Sequence, residues 1–269
     1  MNDNNTIQGG NALDFHSKDN MYSYTGRDAD AAWKEKIREL IDISSINHAA
    51  DIGCGGGIYS RALAAIGIPS ILAIDSSKPI LEGAKKDCSR YPNISFQLDL
   101  ADKTGLESES VDLILSRALL HHLKNLDSVF AEAYRVLNSN GYYLIQDRTL
   151  DDCLLEGSKE HIRGYFFEAF PKLREFEKKR RYSSDDIKIS LQQVGFKEIT
   201  AHRLWEIRKT YPNKRALLAD IQSRTGRSIL HELSDEELQY LSDYIDYSIG
   251  DDMEEVVEKD RWTLIKAVK

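Results

Sequence analysis

The sequence has little of what would staple a small chain together or carry it into a membrane. It has only three cysteines, Cys54, Cys88 and Cys153, and no two of them form a CxxC pair. An odd, scattered set excludes a disulfide framework and a cysteine zinc site and reads as reduced thiols. No apolar run is long enough to span a bilayer. The longest stretch of low charge lies between Arg61 and Asp75 and is broken by Gly67 and Pro69. Met1 to Asn11 is polar, with no basic-then-apolar signal pattern, so a cytoplasmic protein with no membrane partner is expected. Positive charge is also in deficit: 36 Lys and Arg stand against 44 Asp and Glu, a formal net charge of -8. That disfavours a general nucleic-acid binder. No cysteine or acidic cluster accompanies the adjacent His121 and His122, so no metal site is expected.

What is present is enough for a packed core. Hydrophobic residues make up 41% of the 269 and charged residues 30%, and a chain of this length buries roughly 75% of its unfolded surface without a staple. A helical face runs through Ala29 to Ile43, and short apolar runs then alternate with helical ones. Strands are expected at Ala49 to Ile52, Ser70 to Ile74, Ile94 to Leu98, Val111 to Leu115 and Tyr142 to Gln146. Helices are expected at Ile58 to Ile66, Lys78 to Cys88 and Leu126 to Leu137. Further on, Ser183 to Asp186 reads as a helix start, Gly195 as its stop, and Phe196 to Arg208 and Arg261 to Val268 as two more strands. The pattern predicts an α/β fold: a Rossmann-like, seven-stranded, mostly parallel sheet with helices on both faces.

Two segments interrupt the alternation. Residues 151–182 carry Tyr165, Phe166, Phe167, Phe170 and Phe176 and end on the basic run Lys178 to Arg181, which reads as a solvated helix end. Residues 213–258 look helical. Twelve acids and one base lie between Glu232 and Asp260. Both segments are expected to be insertions forming a helical cap at the ligand edge of the sheet. The expected organisation is an N-terminal lid over residues 1–28, then one domain over 29–269.

The most informative segment is Asp51-Ile52-Gly53-Cys54-Gly55-Gly56-Gly57, between a strand and a helix. Three alternate glycines exceed what a tight turn needs, and a side chain at Gly53 or Gly55 would block a ligand crossing the loop. A dinucleotide loop would place its third glycine at position 58, which is Ile58. Asp51 would also repel a pyrophosphate and would suit a ligand bearing an ammonium group.

With these features the sequence resembles the class I S-adenosylmethionine-dependent methyltransferases over roughly residues 45–147, and more weakly over 183–208 and 261–268. The resemblance implies S-adenosyl-L-methionine as cofactor. It implies Asp51, Gly53, Cys54 and Gly55 near the methionine end, Asp75 and Ser76 at the ribose, and Asp99 with Leu100 at the adenine. Ser116 and Arg117, after the Asp112-Leu113-Ile114 strand, are implied beside the methionine part. Of His121 and His122, packing or capping of the next helix is the favoured reading, and His121 is the candidate general base. Tyr22, Tyr24 and Arg27 are candidate substrate or lid residues. The implied function is methyl transfer to a small-molecule acceptor by in-line displacement. The alternatives are an RNA-modifying enzyme of the same fold and a non-catalytic cofactor-binding protein. A homodimer is a candidate assembly.

Overall fold

The computed structural model describes residues 28–250 and 254–269. Tyr22, Tyr24 and Arg27, and with them all but the last residue of the expected lid, lie outside the described residues. Seven strands form one sheet: β1 (His48–Ile52), β2 (Ser70–Asp75), β3 (Ile94–Leu98), β4 (Val111–Arg117), β5 (Leu137–Asp147), β6 (Lys197–Tyr211) and β7 (Val256–Val268). Their order is β3-β2-β1-β4-β5-β7-β6. The first five are parallel, and β7 runs antiparallel to both neighbours. The order reverses beside β1, between β2 and β4, which is where open sheets of this kind form a ligand crevice.

Side-chain alternation assigns each strand residue to one of two cores. Ala49, Leu113, Leu115, Leu144 and Leu264 face α1 (Ala31–Leu40), α2 (Ile58–Ala65) and α3 (Lys78–Asp87). Ala50, Ile114, Tyr143, Ile145 and Ile265 face α4 (Leu126–Val136) and α8 (Ser184–Val194). Local chemistry sets the helix ends. Asp30 accepts from the Ala32 N–H at 2.9 Å, Ser77 caps α3 through the Ile80 N–H, and Ser183 with Asp186 forms a capping box on α8. Gly195, at φ +116°, ends α8 in the left-handed conformation that favours glycine.

A third core covers the ends of β6 and β7. The last residue of β5, Asp147, lies opposite Thr263. Beyond it β6 and β7 continue as a two-stranded ribbon, paired from Leu204↔Trp262 to Tyr211↔Val256. On this ribbon sit α5 (Leu150–Cys153), α6 (Arg163–Ala169), α7 (Lys172–Arg180), α9 (Lys214–Gln222) and α10 (Asp235–Ile249). They bury Phe166, Phe167, Leu173, Leu217, Ile221, Leu241 and Ile245 with Tyr211 and Val256. The sequence pattern started β7 at Arg261. The strand starts at Val256, because Glu258 and Asp260 point inward to arginines and look solvent-facing only in sequence. The basic run differs from its expected form too. Arg181 is buried, and Arg180 and Arg181 both bond Glu177, so only part of the run is a solvated helix end.

Candidate functional site

The glycine loop leaves β1 at its C-terminal end and enters α2. The Gly53 and Cys54 N–H groups both donate to the Ile74 carbonyl, at 2.8 and 3.0 Å, which pins the loop to β2. All three alternate glycines have positive φ, but their surroundings differ. A Cβ at Gly53 would lie 2.9 Å from Leu119, and one at Gly57 would lie 2.6 Å from the Cys88 sulfur. One at Gly55 would meet nothing within 4 Å. Gly53 and Gly57 therefore answer to internal packing, and Gly55 is the glycine whose free side faces open space. The Cys54 side chain is buried and presents no thiol to a ligand.

Three carboxylates mark the ends of neighbouring strands. Asp51 is buried, and the Ser60 hydroxyl donates to its Oδ2 at 2.5 Å. Burial pushes its pKa up to about 6; the Ser60 bond opposes this and the nearby Asp75 charge adds to it. A buried carboxylate of this kind favours a cation beside it. Asp75 ends β2, half-buried. It accepts from the Gly55 N–H at 3.0 Å and the Ser77 N–H at 2.9 Å, which orients the carboxylate. Ser76 beside it is exposed. Asp99 follows β3. Its N–H donates to the Asp75 carbonyl and its Oδ2 accepts from Gln97 at 2.7 Å. Leu100 is exposed. Asp51, Gly55, Asp75 and Asp99 thus lie along one edge, at the C-terminal ends of β1, β2 and β3.

Ser116 and Arg117 part company. Ser116 is fully buried, with its hydroxyl 3.2 Å from that of Tyr143 in the α4 core. Its side chain is therefore turned away from this edge. Arg117 ends β4, with its guanidinium 4.0 Å from the ring centres of both Tyr59 and Trp262. It donates to Glu206 at 2.7 Å. The same carboxylate accepts from Tyr59 and from Gln146, which in turn accepts from the Trp33 indole at 2.7 Å. The Arg117 Nε is buried without a hydrogen-bond partner.

His121 lies on the 3-10 turn Leu120–His122 after β4. Its Nδ1 is 2.9 Å from both Asp147 oxygens, and its backbone N–H also donates to Asp147. Burial pushes the His121 pKa down to about 4, against the pull of Asp147. Burial disfavours the Asp147 charge, yet His121 and Arg181 hold it well below the usual carboxylate range. The pair therefore consists of an ionised acid and a neutral imidazole, with Nδ1–H donating to Asp147. That tautomer leaves the Nε2 lone pair available as a base. A small gap of about 10 Å³, room for about one water, is lined by His121, Arg148, Leu120, Tyr182 and Ile187. Spacing in the sequence gave no sign of Asp147, Glu206, Trp262 or Arg148. The one available hint was that Gln146 and Asp147 end a strand at the ligand edge.

The described residues contain no group of three or more His, Cys, Asp or Glu suited to a metal. No described helix is long and apolar enough to cross a membrane.

A twisted α/β sheet with a glycine loop at its reversal point and acids at successive strand ends defines a nucleotide-type cofactor fold. Residues 50–145 match the model of a methyltransferase domain. Demethylmenaquinone methyltransferase of Tropheryma whipplei is 28% identical over 116 residues, 43% of this chain and 48% of that protein. The mitochondrial ubiquinone biosynthesis O-methyltransferase of Candida albicans is 30% identical over 112 residues, 40% and 34% of the two chains. The chain thus spans about half the length of the first of these relatives and a third of the second. Among solved structures, phosphoethanolamine N-methyltransferase 2 of Haemonchus contortus, in complex with S-adenosyl-L-methionine, superposes with a TM-score of 0.59 at 18% identity, covering 96% of this chain and 58% of that one. The YcgJ protein of Bacillus subtilis gives 0.60 at 15% identity, covering 89% and 99%. Residues 50–145 thus carry a match to a methyltransferase domain, on a fold shared with a solved methyltransferase.

Proposed function

We propose that this protein transfers a methyl group from S-adenosyl-L-methionine to a small-molecule acceptor. The observation that carries the proposal is the edge formed by buried Asp51, open Gly55 and oriented Asp75. Asp51 suits the cofactor's ammonium group. Asp75 holds two N–H donors already, and carboxylate oxygens have lone pairs left for two ribose hydroxyls. Asp99 and the Leu100 N–H are the contacts for adenine. Gly55 leaves room for the chain between these ends. When bound, the sulfonium cofactor supplies an electrophilic methyl group, so the protein's task is to hold the acceptor in line behind it. Orientation of this kind can lower a barrier by roughly 7–11 kcal/mol.

His121 is the residue assigned to deprotonate the acceptor. Asp147 fixes its tautomer, and Arg181 keeps Asp147 ionised. The helical cap on the β6–β7 ribbon shapes the acceptor side, and Arg117, between Tyr59 and Trp262, forms the wall shared by cap and sheet. One relative is named a demethylmenaquinone methyltransferase and another a ubiquinone biosynthesis O-methyltransferase, which favours a small organic acceptor over a polymer. The RNA-modifying alternative rests on the run Lys178 to Arg181, and the inward pairing of Arg180 and Arg181 leaves that surface poorer in charge. The test is incubation of purified protein with methyl-labelled cofactor and a metabolite extract, with products identified by mass. A labelled small molecule that disappears with Asp75→Ala is the expected result. Label appearing only in RNA, or S-adenosylhomocysteine never forming with any fraction, would refute the proposal.

A further inference from the structure

The last strand of the sheet leaves one side unpaired. β6 is an edge strand of 15 residues, bonded only to β7. Ile207 shows which of its amides point outward. Its N–H donates to the Asp30 carboxylate, away from β7, at 3.2 Å. Backbone direction alternates along an antiparallel strand, so Ala201, Arg203 and Trp205 also turn their N–H and C=O groups outward. Among the described residues nothing bonds these three N–H groups. Edges are commonly guarded by proline, lysine or a bulge. Here residues 200–207, between the two irregularities of the strand, hold no proline, no lysine and no register shift.

The side chains on this edge are also unpartnered. Trp205 is 45% exposed and Ile207 51%, unusual for large apolar residues on a sheet edge. The His161 ring lies 5.5 Å from that of Trp205, edge to face, and holds it in place. Arg203, two residues earlier on the same face, is exposed and has no ion pair among the described residues. A groove of about 570 Å³ runs beside Ala201, His202 and Arg203. Lys36 of α1 walls it on one face of the sheet and Ser184 of α8 on the other. An added strand would lie in that open space.

A second copy of this chain complements the edge in charge and shape. Two identical strands related by a two-fold axis pair antiparallel. Outward residues must face outward residues, so only every second register is possible. With the axis at Leu204, Arg203 lies opposite Trp205 of the second copy, twice over, and the small Ala201 leaves room for Ile207. A guanidinium against an indole ring is a favourable pair, and here neither group has another charged partner. With the axis at Arg203, two guanidiniums would face each other. With the axis at Trp205, Arg203 would meet Ile207 and its charge would stay unpaired. Charge therefore selects the Leu204 register. Asp30, on the Ile207 N–H, closes the ladder at each end.

We propose that this chain forms a homodimer in which β6 pairs antiparallel with β6 of a second copy about Leu204. The two seven-stranded sheets become one continuous sheet. The pairing goes beyond the methyltransferase reading and does not depend on it, because β6 lies at the other end of the strand order from β2 and β3.

The test is sedimentation equilibrium of the full chain over a wide range of concentration, with hydrogen exchange of the β6 amides. The expected result is a monomer–dimer equilibrium, with exchange at Arg203 and Trp205 that is slow in the dimer and quickens on dilution. Arg203→Glu and Trp205→Lys should each weaken the dimer about tenfold or more, because the two-fold axis doubles each loss. The double variant should regain most of that loss, since the new acid meets the new lysine only in the Leu204 register. Arg203→Pro removes one outward N–H, which an edge strand tolerates, and should abolish the dimer while the monomer still folds. A monomer at every concentration would overturn the proposal. So would a dimer that survives Trp205→Lys or Arg203→Pro, or a double variant no tighter than the single ones. Slow exchange at these amides in a monomer would mean that another part of the chain covers the edge, and would overturn it too.

Discussion

Asp51 should cost the ligand-free protein stability, and replacing it with Asn should recover some of that cost. Its pKa rises from an ordinary 3.8 to about 6. At roughly 1.4 kcal/mol per unit the shift amounts to about 3 kcal/mol. The sign follows from proton binding. Between pH 3.8 and 6 the folded state binds the Asp51 proton more tightly than the unfolded chain does, so this residue's contribution falls as pH rises through that window. Above pH 6 the whole cost is present. Asn has nearly the same shape, accepts the Ser60 hydroxyl and carries no charge, but its NH2 group faces the loop with imperfect partners, so the net gain is about 1–3 kcal/mol. For a chain of this size that raises the melting temperature by roughly 2–12 °C. The assay is denaturant unfolding of wild type and Asp51→Asn from pH 4 to pH 8. His121, with its lowered pKa, acts in the opposite direction over part of the range, so the difference between the two proteins is the quantity to read. That difference should be near zero at pH 4 and reach its maximum by pH 7. The same variant should lose cofactor affinity, because the ammonium group loses its counter-charge. An Asp51→Asn protein less stable than wild type at pH 7.5, or a stability difference flat with pH, would refute the reasoning.

Other outcomes follow from the same geometry. His121→Asn should lower kcat by about 10²- to 10⁴-fold with little change in cofactor affinity, measured by single-turnover methyl transfer. In the wild type the limb belonging to His121 should fall only as pH drops toward its pKa of about 4, leaving activity flat through neutrality. Glu177→Gln removes the shared partner of Arg163, Arg180 and Arg181, and should destabilise the chain by about 3–5 kcal/mol in urea unfolding. Trp33→Phe leaves the buried Gln146 oxygen without its indole donor, and should cost about 1–3 kcal/mol in the same measurement.

The parallel part of the sheet was legible because buried strands such as Ile71 to Ile74 and Leu113 to Leu115 read as short apolar runs between glycines and helix caps. The acids at the C-terminal ends of β1 and β2 were legible for a related reason: Asp51 and Asp75 are polar residues in or at the end of apolar runs, where a sheet presents its edge. The distal ribbon was not. Glu206, Glu258 and Asp260 occupy inward positions of β6 and β7, and sequence alternation makes such acids look solvated. Their partners, Arg117, Arg227 and Arg148, come from 31 to 112 residues away, beyond any local pattern. His121 shows the same limit from the other side. The pair of histidines was visible and His121 was already the candidate, but its partner Asp147, which the fold brings from 26 residues away, was not. The packing of Ser116 against Tyr143 and of Gly53 beside Leu119 was not legible, because only the fold brings these partners together.

The most direct measurement is a calorimetric titration of the purified chain with S-adenosyl-L-methionine, run on wild type and Asp75→Ala under the same conditions. The edge formed by Asp51, Gly55 and Asp75 predicts one-to-one binding by the wild type and a loss of about tenfold or more in the variant, as two hydroxyl hydrogen bonds to a charged acceptor are removed. No binding by a folded wild type, or equal affinity in the two proteins, would contradict the account.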